Sequence, residues 1–393
     1  MKDLIYNFTE RIFEEVVSVR RHLHKHPELS FKEEQTSKYI CSELERMGIS
    51  YRKGIAEYGI LGVIDTGREG KTIALRADMD ALPIQESLDR EYHSVNDGVM
   101  HACGHDVHSA NLLGVARVIN EIKSDLVGKV LLIFQLGEES FPGGAKLMLD
   151  DGLFREHSPD LIIGMHVFPE LDAGKVGFRS GMYMASGDEI HIKISGKGGH
   201  AALPDKLTDT VLASANIVTS LQQVVSRNAP PAVPSVLSFG KFIANGATNI
   251  IPDEVDISGT FRTMNEQWRA IAKERIASVA KSVAAAHGVD CDLKINHGYP
   301  FLVNDENGTM WSVSQTQEII GKDNVVPLDI RMTCEDFAYY SQQFPAVFFR
   351  LGTKNPNTET VRSLHTSDFD IDENALLTGV RTMSWLVYKY LKG

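Results

Sequence analysis

The stretch that decides the fold is Val130-Leu131-Leu132-Ile133-Phe134-Gln135-Leu136-Gly137-Glu138-Glu139, an apolar run that ends in two adjacent acids. A run of this length and character indicates a strand buried on both faces, as in a parallel sheet covered by helices. The same reasoning predicts strands over 60–64, 72–75, 161–166 and 347–351. Helices are predicted over 5–26, 33–47, 108–123, 144–150 and 374–391. Strands that alternate with helices predict an α/β layer with a mostly parallel central sheet.

Side chains suited to catalysis or metal binding follow three of these strands. Asp78 and Asp80 come after one strand, Glu138 and Glu139 come after another, and His166 ends a third. Binding groups in open α/β sheets gather at the carboxyl ends of the strands. The sequence therefore predicts a functional site at this edge of the sheet.

A different pattern occupies residues 187–297. It predicts a strand, a helix, two strands, a long helix and a final strand, over 189–195, 208–227, 235–242, 254–263, 267–287 and 290–296. This βαββαβ order is that of the ferredoxin-like unit. We therefore expect a discontinuous catalytic metal-binding domain, 1–186 and 298–393, with an inserted ferredoxin-like lid and dimerisation domain at 187–297.

Composition and charge argue against several classes of protein. The formal net charge is −12 without a basic cluster, so we expect no nucleic-acid partner. No apolar stretch approaches the ~20 residues of a membrane span, and the N-terminus is typical of a helix rather than of a signal peptide. The four cysteines are scattered along the chain, which fits a reducing compartment. These features predict a cytoplasmic protein with no membrane partner.

The strongest local motif is His101-Ala102-Cys103-Gly104-His105-Asp106-Val107-His108. In extended backbone Cys103 and His105 would project to the same side, because side chains alternate with period two. A thiolate and an imidazole on one side make half of a transition-metal site. A buried cysteine beside surface histidines is the alternative that this motif alone leaves open.

The remaining motifs are weaker one by one. Glu138 and Glu139 would point in opposite directions in β geometry, so that one could bind a metal and the other act as a general base. A solvated acidic loop is the alternative. His166 and His365 are each more often structural than ligating. Asp80 is placed to accept the second ring N–H of a ligating histidine.

Taken in order, the motifs resemble the aminoacylase/carboxypeptidase superfamily of two-metal amidohydrolases and peptidases. The closest branch holds hippurate hydrolase, bacterial N-acyl-amino-acid amidohydrolases and plant auxin-conjugate hydrolases. The resemblance runs from Arg20-Arg21-His22-Leu23-His24 through Glu335-Asp336-Phe337-Ala338-Tyr339 to His365, and so covers nearly the whole chain.

The resemblance implies a role for each motif residue. Cys103 would bridge two divalent metal ions, and the other ligands would be His105, Glu139, His166 and His365. Glu138 would be the general base, and Asp80 would orient a ligating histidine. The wider superfamily has His-x-Asp where this chain has Asp78-Met79-Asp80, so His105 would replace the missing ligand. Zinc, manganese, cobalt and nickel all suit such donors.

The resemblance also implies roles for residues of the inserted domain. His200 follows a glycine-rich loop and would polarise the scissile carbonyl in the partner subunit of a homodimer. Asn249 and Arg262 would hold the carboxylate of the substrate, for which the planar fork of an arginine is well suited. An arginine on the wet face of a sheet is the alternative for Arg262.

These observations predict a metal-dependent amidohydrolase that acts on linear amides. The expected substrates are N-acyl amino acids, hippurate-like or N-acetylated, which would be split into a carboxylic acid and a free amino acid. A dipeptidase or aminopeptidase of the same superfamily is the main alternative. A thiol hydrolase with Cys103 as nucleophile would leave four proposed metal-site residues without a role, and a catalytically silent binding protein would not need Glu138.

Overall fold

The computed structural model describes residues 1–392. The helices are α1 (Lys2–Arg11), α2 (Phe13–Lys25), α3 (Glu34–Arg46), α4 (His105–Glu121), α5 (Gly144–Asp150), α6 (Thr210–Gln223), α7 (Glu266–Ala286), α8 (Glu306–Ile320), α9 (Ala338–Ser341) and α10 (Ala375–Leu391). The strands are β1 (Ser50–Ile55), β2 (Gly59–Asp65), β3 (Thr72–Asp78), β4 (Lys129–Gln135), β5 (Leu161–Asp172), β6 (Val176–Phe178), β7 (Gly181–Met184), β8 (Asp188–Ser195), β9 (Gly199–His200), β10 (Ser235–Ile243), β11 (Ile250–Ile251), β12 (Glu254–Thr263), β13 (Asp290–His297), β14 (Leu302–Asn304), β15 (Val325–Pro327) and β16 (Ala346–Lys354).

The chain forms two compact units. One comprises Met1–Tyr183, Val303–Asp329 and Asp336–Gly393, and the other comprises Met184–Leu302 and Ile330–Glu335. The short return of 330–335 to the second unit has no counterpart in the sequence pattern. It carries no regular element of its own, so periodicity had nothing to detect.

The larger unit is built on an eight-stranded sheet with the order β1-β2-β4-β3-β5-β16-β6-β15. Its central strands β4, β3, β5 and β16 are parallel, whereas β1 and β2 form an antiparallel edge. Every residue of β4 after Lys129 is buried, as its apolar sequence requires. Helices α2, α4 and α10 pack together, and α4 also packs against β3. The predicted α/β class with a mostly parallel sheet is confirmed.

The smaller unit carries a separate four-stranded sheet with the order β10-β12-β8-β13, in which every neighbouring pair is antiparallel. Together with α6 and α7 this is the topology of a ferredoxin-like βαββαβ unit. Strand β8 alternates strictly, because Ile190, Ile192 and Ile194 are buried while the residues between them are exposed. The buried face packs with residues of both helices, including Ile217 and Ile276.

The N-terminal helix differs from its prediction. The apolar spacing predicts one helix over 5–26, but the structure has two helices that meet at Ile12, whose φ is −93° and ψ is 3°. Backbone bonds from Ile12 to Phe8 and from Val16 to Ile12 continue across the junction. The apolar face stays in phase, and the side-chain pattern therefore does not register the change in backbone.

Helix α8 was missed by the sequence analysis. The buried residues on its inner face are Thr309, Ser312, Thr316 and Ile319, so that hydroxyl side chains stand where an apolar stripe is normally sought.

No helix within residues 1–392 combines the length and apolar character that spanning a membrane requires.

The turn after β4, which presents Glu138 and Glu139, is held by a buried acid. Gly137 has φ +57°, and its N–H donates to Glu33 Oε1 at 2.7 Å. A Cβ at Gly137 would lie 2.2 Å from the Phe31 ring, so only glycine fits there. Glu33 is fully buried; burial and the nearby Asp80 charge raise its pKa to about 8.

This raised pKa gives a testable stability difference. An unfolded glutamate ionises near pH 4.5, whereas folded Glu33 stays protonated to about pH 8, so wild type loses stability as pH rises between these values. With chelator present, the difference in free energy of unfolding between Glu33→Gln and wild type should therefore grow by roughly 3 kcal/mol from pH 4.5 to pH 7, in favour of the variant. Denaturant titrations over this range measure the change. Glu34→Gln, at an exposed neighbour, is the control and should follow wild type; a Glu33→Gln curve parallel to wild type would contradict a neutral Glu33.

Candidate metal centre

The candidate site lies at the carboxyl ends of β3 and β4 and on β5. Asp78 ends β3, and Asp80 follows it. His166 was predicted to end its strand, but β5 continues to Asp172. Strand β3 pairs with β5 only from Leu161 to Gly164, so His166 lies just beyond the part of β5 that β3 covers.

The Cys103 and His105 side chains come together in a way the sequence did not predict. The backbone is not extended here: Gly104 has φ +79°, and His105 is the first residue of α4. A Cβ at Gly104 would lie 2.6 Å from a methyl of Val167, which leaves room only for glycine. The predicted extended backbone was therefore wrong. The Cys103 and His105 side chains converge because a left-handed turn leads into a helix.

The predicted ligands converge around the Cys103 sulfur. Cys103 Sγ lies 3.4 Å from His166 Nε2 and 3.3 Å from His365 Nε2, and His365 Nε2 lies 3.4 Å from Glu139 Oε1. Two groups with donor atoms within 4.8 Å of one another share the cysteine: Cys103, His105 and His166 in one, and Cys103, Glu139 and His365 in the other. A shared thiolate between two triads is the arrangement that a bridging ligand requires.

Hydrogen bonds fix which ring nitrogen can bind a cation. His166 Nδ1 donates to the Val167 carbonyl at 2.8 Å, and His105 Nδ1 donates to Asp80 Oδ1 at 3.1 Å. Both rings therefore present Nε2 toward the cluster. His105 Nε2 and Glu139 Oε1 are buried without a hydrogen-bond partner. Such orphaned atoms are rare in native interiors, and thiolate, imidazole and carboxylate together suit divalent transition metals. The residues fit a metal centre.

The two adjacent glutamates do not diverge. His105, Glu138 and Glu139 offer donor atoms within 4.8 Å of one another, so both carboxylates face the same cluster. The predicted opposite directions were wrong, because the chain has left β geometry at Gly137. Asp80 Oδ2 accepts the Glu139 N–H at 2.9 Å and thereby holds this turn.

Electrostatics show that the cluster is built for cations. Burial lowers the pKa of His105, but Asp78, Asp80 and Glu139 outweigh it and raise that pKa to about 10. Burial and the charges of Glu139 and Glu138 raise the pKa of the Cys103 thiol well above its usual value. Both groups hold protons at neutral pH in the absence of metal, and metal binding must release them. A reactive cysteine needs the opposite shift.

Three supporting residues received no role from the sequence. His108 Nδ1 donates to Asp78 Oδ1 at 2.5 Å, while its Nε2 accepts the Val167 N–H at 2.9 Å. Arg76 Nη1 donates to the other Asp78 oxygen at 2.6 Å. With both nitrogens engaged, His108 supports the strand segment beside His166 rather than offering a donor. Asp78 and His108 already stood in the quoted motifs without an individual role, and Arg76 stood out only as a charged residue inside an apolar strand.

In the second unit the structure brings His200 and Asn249 together. His200 in β9 pairs with Ile250 in β11, and the Ala201 N–H donates to the Asn249 carbonyl at 3.0 Å. The Ala202 N–H donates to His200 Nδ1, so a neutral His200 carries its proton on Nε2. Arg262 lies on β12, where its Nε donates to Thr260 Oγ1.

Comparisons with known proteins agree with this geometry. The chain matches the peptidase family M20/M25/M40 over residues 74–389. It is 38% identical to an IAA-amino acid hydrolase (ILR1-like 4) of Arabidopsis thaliana over 96% of this chain and 86% of the relative. It is 39% identical to an N-acyl-L-amino acid amidohydrolase of Geobacillus stearothermophilus over 78% and 82% of the two chains.

A solved structure supports the same assignment. A dinuclear metal-binding peptidase of the M20 family from Bacillus subtilis is 32% identical and superposes with a TM-score of 0.80, covering 97% of this chain and 99% of that one. The resemblance drawn from the motifs is confirmed at the level of the family. The chain belongs to peptidase family M20/M25/M40, and it is a hydrolase of the amidohydrolase type.

Proposed function

We propose that this enzyme hydrolyses the amide bond of N-acyl amino acids and releases a carboxylic acid and a free amino acid. The observation that carries the proposal is the pair of donor triads that share Cys103, with the buried Glu138 in contact range of His105 and Glu139. The names of the Geobacillus and Arabidopsis relatives point to amino-acid conjugates as substrates.

The proposed centre holds two divalent ions, drawn from zinc, manganese, cobalt and nickel. Cys103, His105, His166, Glu139 and His365 would hold them, with Cys103 as the donor common to both groups. When bound, such ions polarise the amide carbonyl and lower the pKa of water to about 7. Asp80 keeps His105 in the tautomer that presents Nε2.

The protein residues then move the proton and hold the substrate. Glu138 accepts the proton of the attacking water and returns it to the leaving amine, so no covalent intermediate forms. His200 donates from Nε2 to the developing oxyanion. Asn249 and Arg262 bind the substrate carboxylate. In support, Arg262 forms no salt bridge with a carboxylate of residues 1–392, and its Nη1 is buried without an acceptor.

Two alternatives are less favoured. A thiol hydrolase needs a Cys103 with a lowered pKa, and the pKa here is raised. A dipeptidase of the same family would use the same metal centre and the same carboxylate contacts, and a panel of substrates separates it from the proposed activity.

The proposal also assigns the larger unit to catalysis, the ferredoxin-like unit to a lid, and the enzyme to the cytoplasm.

The substrate class is tested with a panel of N-acetyl, N-benzoyl and N-indoleacetyl amino acids and several dipeptides. We expect turnover of acyl amino acids that chelator abolishes and added metal restores. Arg262→Gln should lower kcat/KM by roughly 10- to 100-fold, the loss of a charge-assisted hydrogen bond. Matched N-acyl amino acid amides, which lack the carboxylate, are the control and should show no such loss. An equal loss on both, or hydrolysis of dipeptides alone, contradicts the proposal.

The division of labour between the two glutamates gives a second prediction. Glu138→Gln should keep its bound metal while kcat falls by roughly 10²–10⁴, the range of general acid–base catalysis. Glu139→Gln, its matched neighbour, should lose metal, because a ligating oxygen is replaced. Metal content and kcat measured on both variants decide the matter. If Glu138→Gln loses metal instead, the two roles are reversed.

A homodimer through the smaller unit is also proposed. Strand β10 lies at the edge of its sheet, and Phe242 and Ile243 on this strand are 44% and 40% exposed. An exposed apolar edge strand is a natural surface for pairing with a second chain. His200 is exposed on the same unit, whereas every proposed metal ligand belongs to the other unit.

The action of His200 across the dimer can be tested by mixing two inactive variants. Loss of one oxyanion donor in His200→Ala should cost about 10²–10³ in kcat without loss of metal. If His200 acts in the partner subunit, a mixed dimer of His200→Ala and Glu138→Gln chains contains one intact site. Activity should therefore reappear on subunit exchange. A mixed dimer, verified by mass, that stays inactive would rule out action across the interface.

A further inference from the structure

The segment that carries His365 has no regular structure to hold it. Residues 355–374, between β16 and α10, contain neither helix nor strand. His365 itself has φ +61°, a left-handed conformation that is uncommon for a residue with a side chain. The His365 N–H donates to the Ala102 carbonyl at 2.8 Å, which ties the segment to the chain just before Cys103. A strained, irregular segment keeps one conformation only when its surroundings impose it.

Asp370 provides the strongest anchor of this segment. Its carboxylate lies 3.0 Å from Arg20 Nη2 and 2.7 Å from Arg90 Nη1, and it accepts from Tyr92 Oη at 3.3 Å. Arg90 Nη2 also donates to the Phe369 carbonyl at 3.1 Å. Asp370 therefore binds two guanidinium groups five residues after His365.

Arg20 connects this anchor to the other side of the metal centre. It is fully buried on α2, and its Nε donates to Asp106 Oδ2 at 2.9 Å while Nη2 reaches Asp370. Asp106 directly follows His105 at the start of α4, and His24 Nδ1 donates to the same oxygen at 2.8 Å. One guanidinium group thus holds the segments of two proposed ligands, His105 and His365.

We propose that Arg20 is a positioning residue that sets the separation between these two segments, so that His365 is in place before its metal ion binds. The inference rests on the proposed ligand roles of His105 and His365. A guanidinium group can hold two carboxylates in fixed directions because its donors form a rigid planar fork, whereas a lysine ammonium is a single point charge. Burying these charges costs desolvation free energy, and the ion pairs hold the two segments in a defined geometry.

The test measures metal binding by the metal-free protein. Calorimetric titration with Co²⁺ should show two binding steps in wild type, and His365→Ala should remove the step that depends on that ligand. Arg20→Lys and Asp370→Asn should weaken the same step by about 10- to 100-fold, the usual loss when a group supporting a ligand is replaced. Arg21→Lys is the matched control: Arg21 binds Glu373 from the next position on α2 and touches neither Asp106 nor Asp370. Glu373 also lies 3.4 Å from Arg20 Nη1, but the bonds of Arg20 to Asp106 and Asp370 stay in place in this variant, so both steps should stay unchanged.

A measurement on wild type covers the case in which the variants do not fold. Hydrogen exchange should show the His365 and Ser87 amides, which donate to the Ala102 and Ser367 carbonyls, protected before any metal is added. Exchange of these amides at unprotected rates until metal binds would overturn the proposal. So would folded Arg20→Lys and Asp370→Asn that bind both ions as wild type does. If His365→Ala also binds both ions normally, the proposed function has failed rather than this inference alone.

Discussion

The Asp80 carboxylate joins three chain segments of the candidate metal centre. One oxygen accepts from His105 Nδ1 at the start of α4, and the other accepts the Glu139 N–H and the Ser30 hydroxyl. Burial raises the pKa of Asp80, but the bond from His105 and these other donors outweigh it and lower that pKa. Asp80 therefore stays ionised at neutral pH. It fixes the tautomer of the His105 ring and holds the turn after β4 to the end of β3. Without it, neither His105 Nε2 nor the Glu139 carboxylate would have a defined direction.

Around this carboxylate the larger unit separates satisfied polar groups from unsatisfied ones. Asp78 accepts hydrogen bonds from both His108 and Arg76, and both ring nitrogens of His108 are engaged. His105 Nε2 and Glu139 Oε1, in contrast, are buried without a hydrogen bond and lie 3.9 Å from each other. Leaving polar atoms unpaired costs free energy, and a fold keeps such atoms where a ligand will satisfy them.

The two units meet different physical requirements. Among the proposed metal ligands, Cys103, His105 and His166 are buried in the larger unit, whereas Glu139 is half-buried and His365 is exposed. His200, Asn249 and Arg262 lie in the ferredoxin-like unit, where His200 is exposed and its ring is oriented by the Ala202 N–H. In the proposed reaction the first set supplies charge and proton transfer, and the second set supplies hydrogen bonds to the substrate.

The sequence by itself determined the fold class and the βαββαβ insertion, because buried strands and amphipathic helices leave local patterns. The set of clustered donors followed from the resemblance of the ordered motifs to a known family, since each motif alone left a structural alternative open. Only the tertiary structure decided how the donors meet. The left-handed turn at Gly104 brings Cys103 and His105 together, a convergence that β geometry predicted for the wrong reason. The turn at Gly137 directs Glu138 and Glu139 to one side, whereas β geometry predicted opposite directions. The supporting roles of Glu33, His108 and Arg20 were not predicted, for a related reason. Their partners lie from 30 to 350 residues away, and no local periodicity records a contact that forms only when distant segments pack.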